Sequence, residues 1–217
     1  MAFDIERSGG RNEHETIGIG ATIVDHNLNE LDSLFLQGYF PKSTNFEQRC
    51  WEEFWSKYED KLNILTYEGP LTKEERQQEM IIQFQQFRKK WEKYAVDNGI
   101  ELLLVSDNNV YDGGFINDLI YRYLPNTLPI PYSTAAKYRP FFETHSEQKG
   151  FLMAVDPHFD QNWGFQKRIG ELYEVPKMKR KHDHNPANDA YTIAFEQQVL
   201  FAIQRGDIKR KKVEHIK

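Results

Sequence analysis

Asp4-Ile5-Glu6 sets two carboxylates two residues apart at the end of a segment, Met1 to Ile5, that reads as a short strand. Residues i and i+2 of a strand share a face. Asp4 and Glu6 therefore stand side by side, while Phe3 and Ile5 turn the other way, toward a core. Like charges so close need compensation, and a hard divalent cation supplies it, because such ions take carboxylate oxygens. A D-x-E pair alone has a plainer account as an exposed polar strand edge. A third carboxylate, Asp112, sits in the stretch NNVYDGGF (108–115), just after a buried apolar strand, and opens a helix. N-capping explains an aspartate there. The end of a central strand is also where α/β sheets place ligands, and Gly113 and Gly114 let a backbone or phosphate approach closely. A fourth, Asp189, falls in the first turn of a helix opened by Asn185-Pro186, where the helix dipole favours it. His184, five residues earlier, has no such ready explanation and can reach a ligand held by Asp189; His182 and Asp183 compete for that place. Together these side chains suit metal-assisted hydrolysis: acids to hold ions, and an imidazole of pKa about 6.5 to accept a proton near neutrality.

The elements that must position them follow from periodicity. Thr16 to Asp25 (TIGIGATIVD) reads as a strand, His26 to Asn29 as a turn, and Leu31 to Phe40 as a second strand, giving a hairpin. Trp51, Phe54, Trp55, Tyr58, Leu62 and Leu65 recur at helical spacing. So do Met80, Phe84, Phe87, Trp91 and Tyr94, in a longer helix from near Thr72 to a cap at Asn98-Gly99. These aromatics read as core rather than as a base-stacking platform. Ile100 to Val105 (IELLLV) reads as a strand buried on both faces, and Phe115, Ile116, Leu119, Ile120 and Tyr123 mark the next helix. Pro125 to Phe142, with four prolines, reads as loop with room for one strand. Trp163 to Tyr173 reads as a helix, and the last helix runs from Asn185 to about Gln204, stopped by Gly206. This order implies an α/β fold with a mixed sheet: an antiparallel meander of three strands, then a strand parallel to the first after a helical crossover.

A chain of 217 residues fits one domain. With 39% hydrophobic and 28% charged residues it reads as soluble and globular. No apolar run nears the roughly 18 residues of a membrane span, and MAFDIERSGG lacks the features of a signal peptide. The expectation is a cytoplasmic protein with no membrane partner. The single cysteine, Cys50, has no internal partner for a disulfide, agrees with a reducing compartment and reads as packing. The net charge of −5 runs against phosphate binding. Ions held by acids offset this locally, and basic residues cluster at Lys177–Lys181 (KMKRK) and Lys209–Lys212 (KRKK). Each run also reads as solvated surface or tail, and the second as a candidate localisation signal.

D-x-E on the first strand, N-x-x-Y-D after the later buried strand, and H-x4-D opening the last helix appear in that order. In this the chain resembles the DEDDh 3′→5′ exonuclease superfamily, which includes ribonuclease T, oligoribonuclease and polymerase proofreading subunits. The family's D-x-E-[TS]-[TS]-G reads Asp4-Ile5-Glu6-Arg7-Ser8-Gly9; its H-N-x-x-F-D reads Asp107 to Asp112; its H-x-A-x-x-D-A reads His184 to Ala190. The resemblance spans nearly the whole chain. It implies a ribonuclease H-like fold, with a five-stranded mixed sheet flanked by helices, and one exonuclease domain over 1–217 with a helical insertion around 41–73. It implies two divalent cations, Mg2+ or Mn2+, held by Asp4, Glu6, Asp112 and Asp189, with His184 as general base. It implies Ser8 and Asn108 at the terminal nucleotide, the 3′ ends of single-stranded DNA or RNA as substrate, and a homodimer as an assembly open to it. Departures are Arg7, where the family has a small polar residue beside the metals, Asp107 for a histidine, and Pro186 for an alanine. Asn185 stands where the tyrosine class carries its tyrosine, so the histidine class fits better. Two alternatives remain: an inactive nucleic-acid-binding module of the same fold, and an HD-type metal phosphohydrolase built on His182-Asp183.

Overall fold

The computed structural model describes residues 1–130, 142–156, 158–160 and 164–211. Most of the proline-bearing stretch before Phe142, together with Trp163 and Lys212, lies outside the described residues. Strands β1 (Ala2–Arg7), β2 (Thr16–Val24) and β3 (Glu30–Gln37) form the expected antiparallel meander. Strands β4 (Val105–Ser106) and β5 (Phe142–Glu143) extend the sheet in parallel on the far side of β1, giving the order β3-β2-β1-β4-β5.

The run Ile100–Val105 is mostly not a strand. Only Val105 pairs with β1, opposite Ala2, while Leu102 and Leu104 pack as irregular chain against the core. The apolar run was there for burial, which does not require a ladder.

Helices cover both faces. Phe3 and Ile5 of β1 and Ile19, Ala21 and Ile23 of β2 pack against Met80, Ile81 and Phe84 of α3 (Lys73–Asp97) and Ile116, Leu119 and Ile120 of α4 (Asn109–Tyr123), once α1 (Gln48–Glu53) and α2 (Glu59–Leu65) have gone before. The opposite face carries α7 (Pro186–Arg205), with α5 (Thr144–Val155) and α6 (Phe165–Leu172) behind it. Local chemistry sets the helix ends. Thr72 and Glu75 form a reciprocal capping box at α3. Asn185 caps α7 with Pro186 at its first position, and Gly206 stops it at φ 84°. The aromatic pattern at 51–65 breaks into α1, one 3-10 turn at Trp55–Lys57, and α2. Trp55, Leu62 and Leu65 make a small core of their own with Ile17 and Tyr39. Among the described residues, no helix is long and apolar enough to cross a membrane.

One packing detail decides where the acids meet. In the β1–β2 register Asp4 lies opposite Gly20 and Glu6 opposite Gly18, so both glycines share the acids' face. A Cβ on Gly20 would sit 2.0 Å from the Pro186 carbonyl, and one on Gly18 would lie 3.1 Å from the Pro186 ring. The first turn of α7 therefore rests directly on the β2 backbone.

Candidate metal centre

Three elements and a loop converge above β1. Asp4 and Glu6 project from the strand, Asp107 and Asp112 come from the loop after β4 and the first turn of α4, and Asp189 comes from the first turn of α7. Asp4, Glu6 and Asp189 offer carboxylate oxygens that all lie within 4.8 Å of one another; Asp4, Asp107 and Asp112 form a second such group. Asp4 belongs to both. His182, His184 and Asp189 make a third group on the outer side. The five residues singled out from sequence all line one cleft of about 860 Å³.

Asp112 and Asp189 are held from behind. Asp112 is only 2% exposed, and its Oδ2 accepts from Ser106 Oγ at 2.8 Å. The same hydroxyl oxygen accepts from Asn108 N at 3.1 Å. Asp112 is not the helix cap that its position suggested: Asn108 caps α4, its side-chain oxygen accepting from Tyr111 N at 3.2 Å. Asp189, 1% exposed, accepts from the backbone N–H of Asp183 (2.8 Å) and of His184 (3.0 Å). Those two bonds curl the preceding loop around the carboxylate, and His184 adopts φ 61° to complete the curl. Its imidazole Nδ1 then lies 4.0 Å from Glu6 Oε1. Phe54 and Tyr58 hold the ring edge-on, with centroids 4.8 and 4.6 Å away.

The electrostatics are those of a site short of positive charge. Burial first, then repulsion from Glu6, Asp112, Asp189 and Asp107, raises the Asp4 pKa well above the carboxylate range. Burial and the neighbouring acids do the same to Glu6. Burial, opposed by the Ser106 bond and aided by Asp107, pushes Asp112 up to about 7, and burial takes Asp189 to about 6. Asp4 Oδ2 is buried and receives no hydrogen bond. An orphaned acceptor amid mutually repelling acids fits a hard divalent cation, and the all-oxygen donor set suits Mg2+ or Mn2+. His184 is shifted the other way, its pKa lowered by burial and then by His182, so the ring is neutral at neutral pH.

Other expectations fare differently. Ser8 is fully buried, its Oγ accepting from Glu15 N at 3.0 Å, and it does not line the cleft. Asn108 does line it, with its carbonyl engaged as the cap. Arg7 is not beside the acids. Its buried guanidinium donates to the carbonyls of Gly9, Arg11 and His14 and lies 3.5 Å from the Phe115 ring centroid. Asp183 turns to Lys61 Nζ (3.4 Å) and Asn188 Nδ2 (3.0 Å) and joins none of the candidate ligand groups among the described residues. Asp107, seen in the sequence only as a departure from a motif, is part of the centre, and Glu143 and His145 also line the cleft. The parallel β4–β5 pair brings these last two to the site, and nothing local to their sequence signals it. No known protein-family model and no curated protein matches this sequence.

Proposed function

We propose that the chain is a metal-dependent 3′→5′ exonuclease of the DEDDh type on a ribonuclease H-like fold, acting on single-stranded nucleic acid. The observation that carries this reading is Asp4 standing in two acid groups at once, with the His184 imidazole next to Glu6. Asp4, Glu6 and Asp189 would hold one divalent ion, and Asp4, Asp107 and Asp112 the other. Bound ions neutralise charge on the phosphoryl oxygens and on both oxygens of an in-line displacement. The chain's own part is to position and to move a proton. Ser106 and the N–H groups of Asp183 and His184 fix the carboxylates. His184, neutral and packed between Phe54 and Tyr58, accepts a proton from the attacking water. The water oxygen bonds to phosphorus, the bond from phosphorus to the 3′ oxygen breaks, and that oxygen takes a proton from solvent.

The test is digestion of 5′-labelled single-stranded DNA and RNA with Mg2+, with Mn2+ and with chelator, by wild type and by Asp4→Asn, Asp189→Asn and His182→Ala. A ladder of shortened products that needs metal, Asp4 and Asp189 and survives His182→Ala is the expected outcome. Strand binding without shortening under either metal would favour the inactive module. Cutting that tolerates Asp189→Asn but not His182→Ala would favour the HD-type reading.

A further inference from the structure

A second cavity, of about 520 Å³, lies between α5, α6 and α7 and shares Asp107, His145 and His182 with the acid cleft. The hydrolytic scheme does not use it, and its volume suits a molecule of nucleotide size. Gln148 of α5 lines it while only 2% exposed, and its Oε1 is buried without a hydrogen-bond donor. Leaving an acceptor so is costly unless a ligand supplies the donor. Gln148 is hydrogen-bonded to Glu196 of α7, whose carboxyl is pushed up to about 7 by burial. Thr192 gives its hydroxyl proton to Asn188 O at 2.9 Å and presents only lone pairs to the cavity. The floor is therefore rich in acceptors, with one protonatable group among them. Exposed Lys149 and Lys167 stand at the rim, and ammonium groups match phosphate.

We propose that this cavity seats one nucleotide of the strand through adenine or cytosine, whose 6- or 4-amino group donates to Gln148 Oε1 while Lys149 and Lys167 take its phosphate. The inference rests on the nuclease reading of the adjoining cleft. Uracil and thymine carry a carbonyl where cytosine carries its amino group, so two acceptors would face each other and the base is disfavoured.

The test is calorimetric titration of the full chain with AMP, CMP and UMP in chelator. AMP and CMP are expected to bind on the order of tenfold tighter than UMP. Gln148→Leu should erase that difference, and Lys167→Ala, at an exposed site that leaves folding intact, should weaken all three by a common factor. Equal affinities of wild type for CMP and UMP, no binding of any of the three, or a cytosine preference that survives Gln148→Leu overturns the proposal. The two readings fail separately. Base-selective binding by a chain that cuts no strand upholds this inference and removes the nuclease; cutting with no base preference does the reverse.

Discussion

The Asp112 carboxylate is the clearest case of a side chain whose surroundings oppose its charge. Its unfolded pKa is about 3.9 and its folded value about 7. The native state therefore holds a proton that the unfolded chain releases between those values. The stability this contributes is present below the unfolded pKa and is lost as pH rises through the folded one. Metal-free protein should melt at a lower temperature at pH 8 than at pH 5, and Asp112→Asn, which cannot ionise, should narrow that gap; an unchanged gap would refute the account. Ser106 acts one step back. Its hydroxyl donates to Asp112 and is fully buried. Ser106→Ala frees that carboxylate to rotate, and divalent affinity measured by calorimetry should fall by about 10- to 100-fold.

At the scale of elements, the helical segment from α1 to α2 forms one wall of the site. Trp55, 1% exposed, donates Nε1–H to the Arg7 carbonyl at 2.9 Å, which fixes the wall to the end of β1. Trp55→Phe removes that donor and leaves the carbonyl short of a partner, at a cost of about 1–3 kcal/mol in denaturant unfolding. Legibility in the sequence also divides by element. Asp4 and Glu6, and His184 and Asp189, could be read because strand alternation and helix starts are local rules. Helix α5 carries no periodic signal for a physical reason: its buried stripe is Thr144, Gln148 and Leu152, so its inward face is largely polar and leaves no apolar period. With it went Gln148 and His145. β5 has two residues, too few for any pattern, so its pairing with β4 and the arrival of Asp107 and Glu143 at the cleft are visible only in three dimensions. The motif places Ser8 at the terminal nucleotide, and the turn after β1 buries it instead.

For the whole molecule, the net charge of −5 matters less than where the charge is concentrated. The acids crowd one cleft, so divalent ions should stabilise the fold by binding the native state alone. Mn2+ or Mg2+ should raise the melting temperature at pH 8, raise it little at pH 5 where the acids keep their protons, and raise it little in Asp4→Asn at either pH. The separation between the sheet and α7 is set by hydrogen atoms at positions 18 and 20. A single methyl at position 20 would act as a shim, tilting the helix off the strand and carrying Asp189 and His184 away from Asp4. Gly20→Ala should therefore be both less stable in thermal melts and silent in a nuclease assay, although every proposed ligand and the proposed base are still encoded. A genetic lesion of that kind would look harmless to anyone inspecting only the acids.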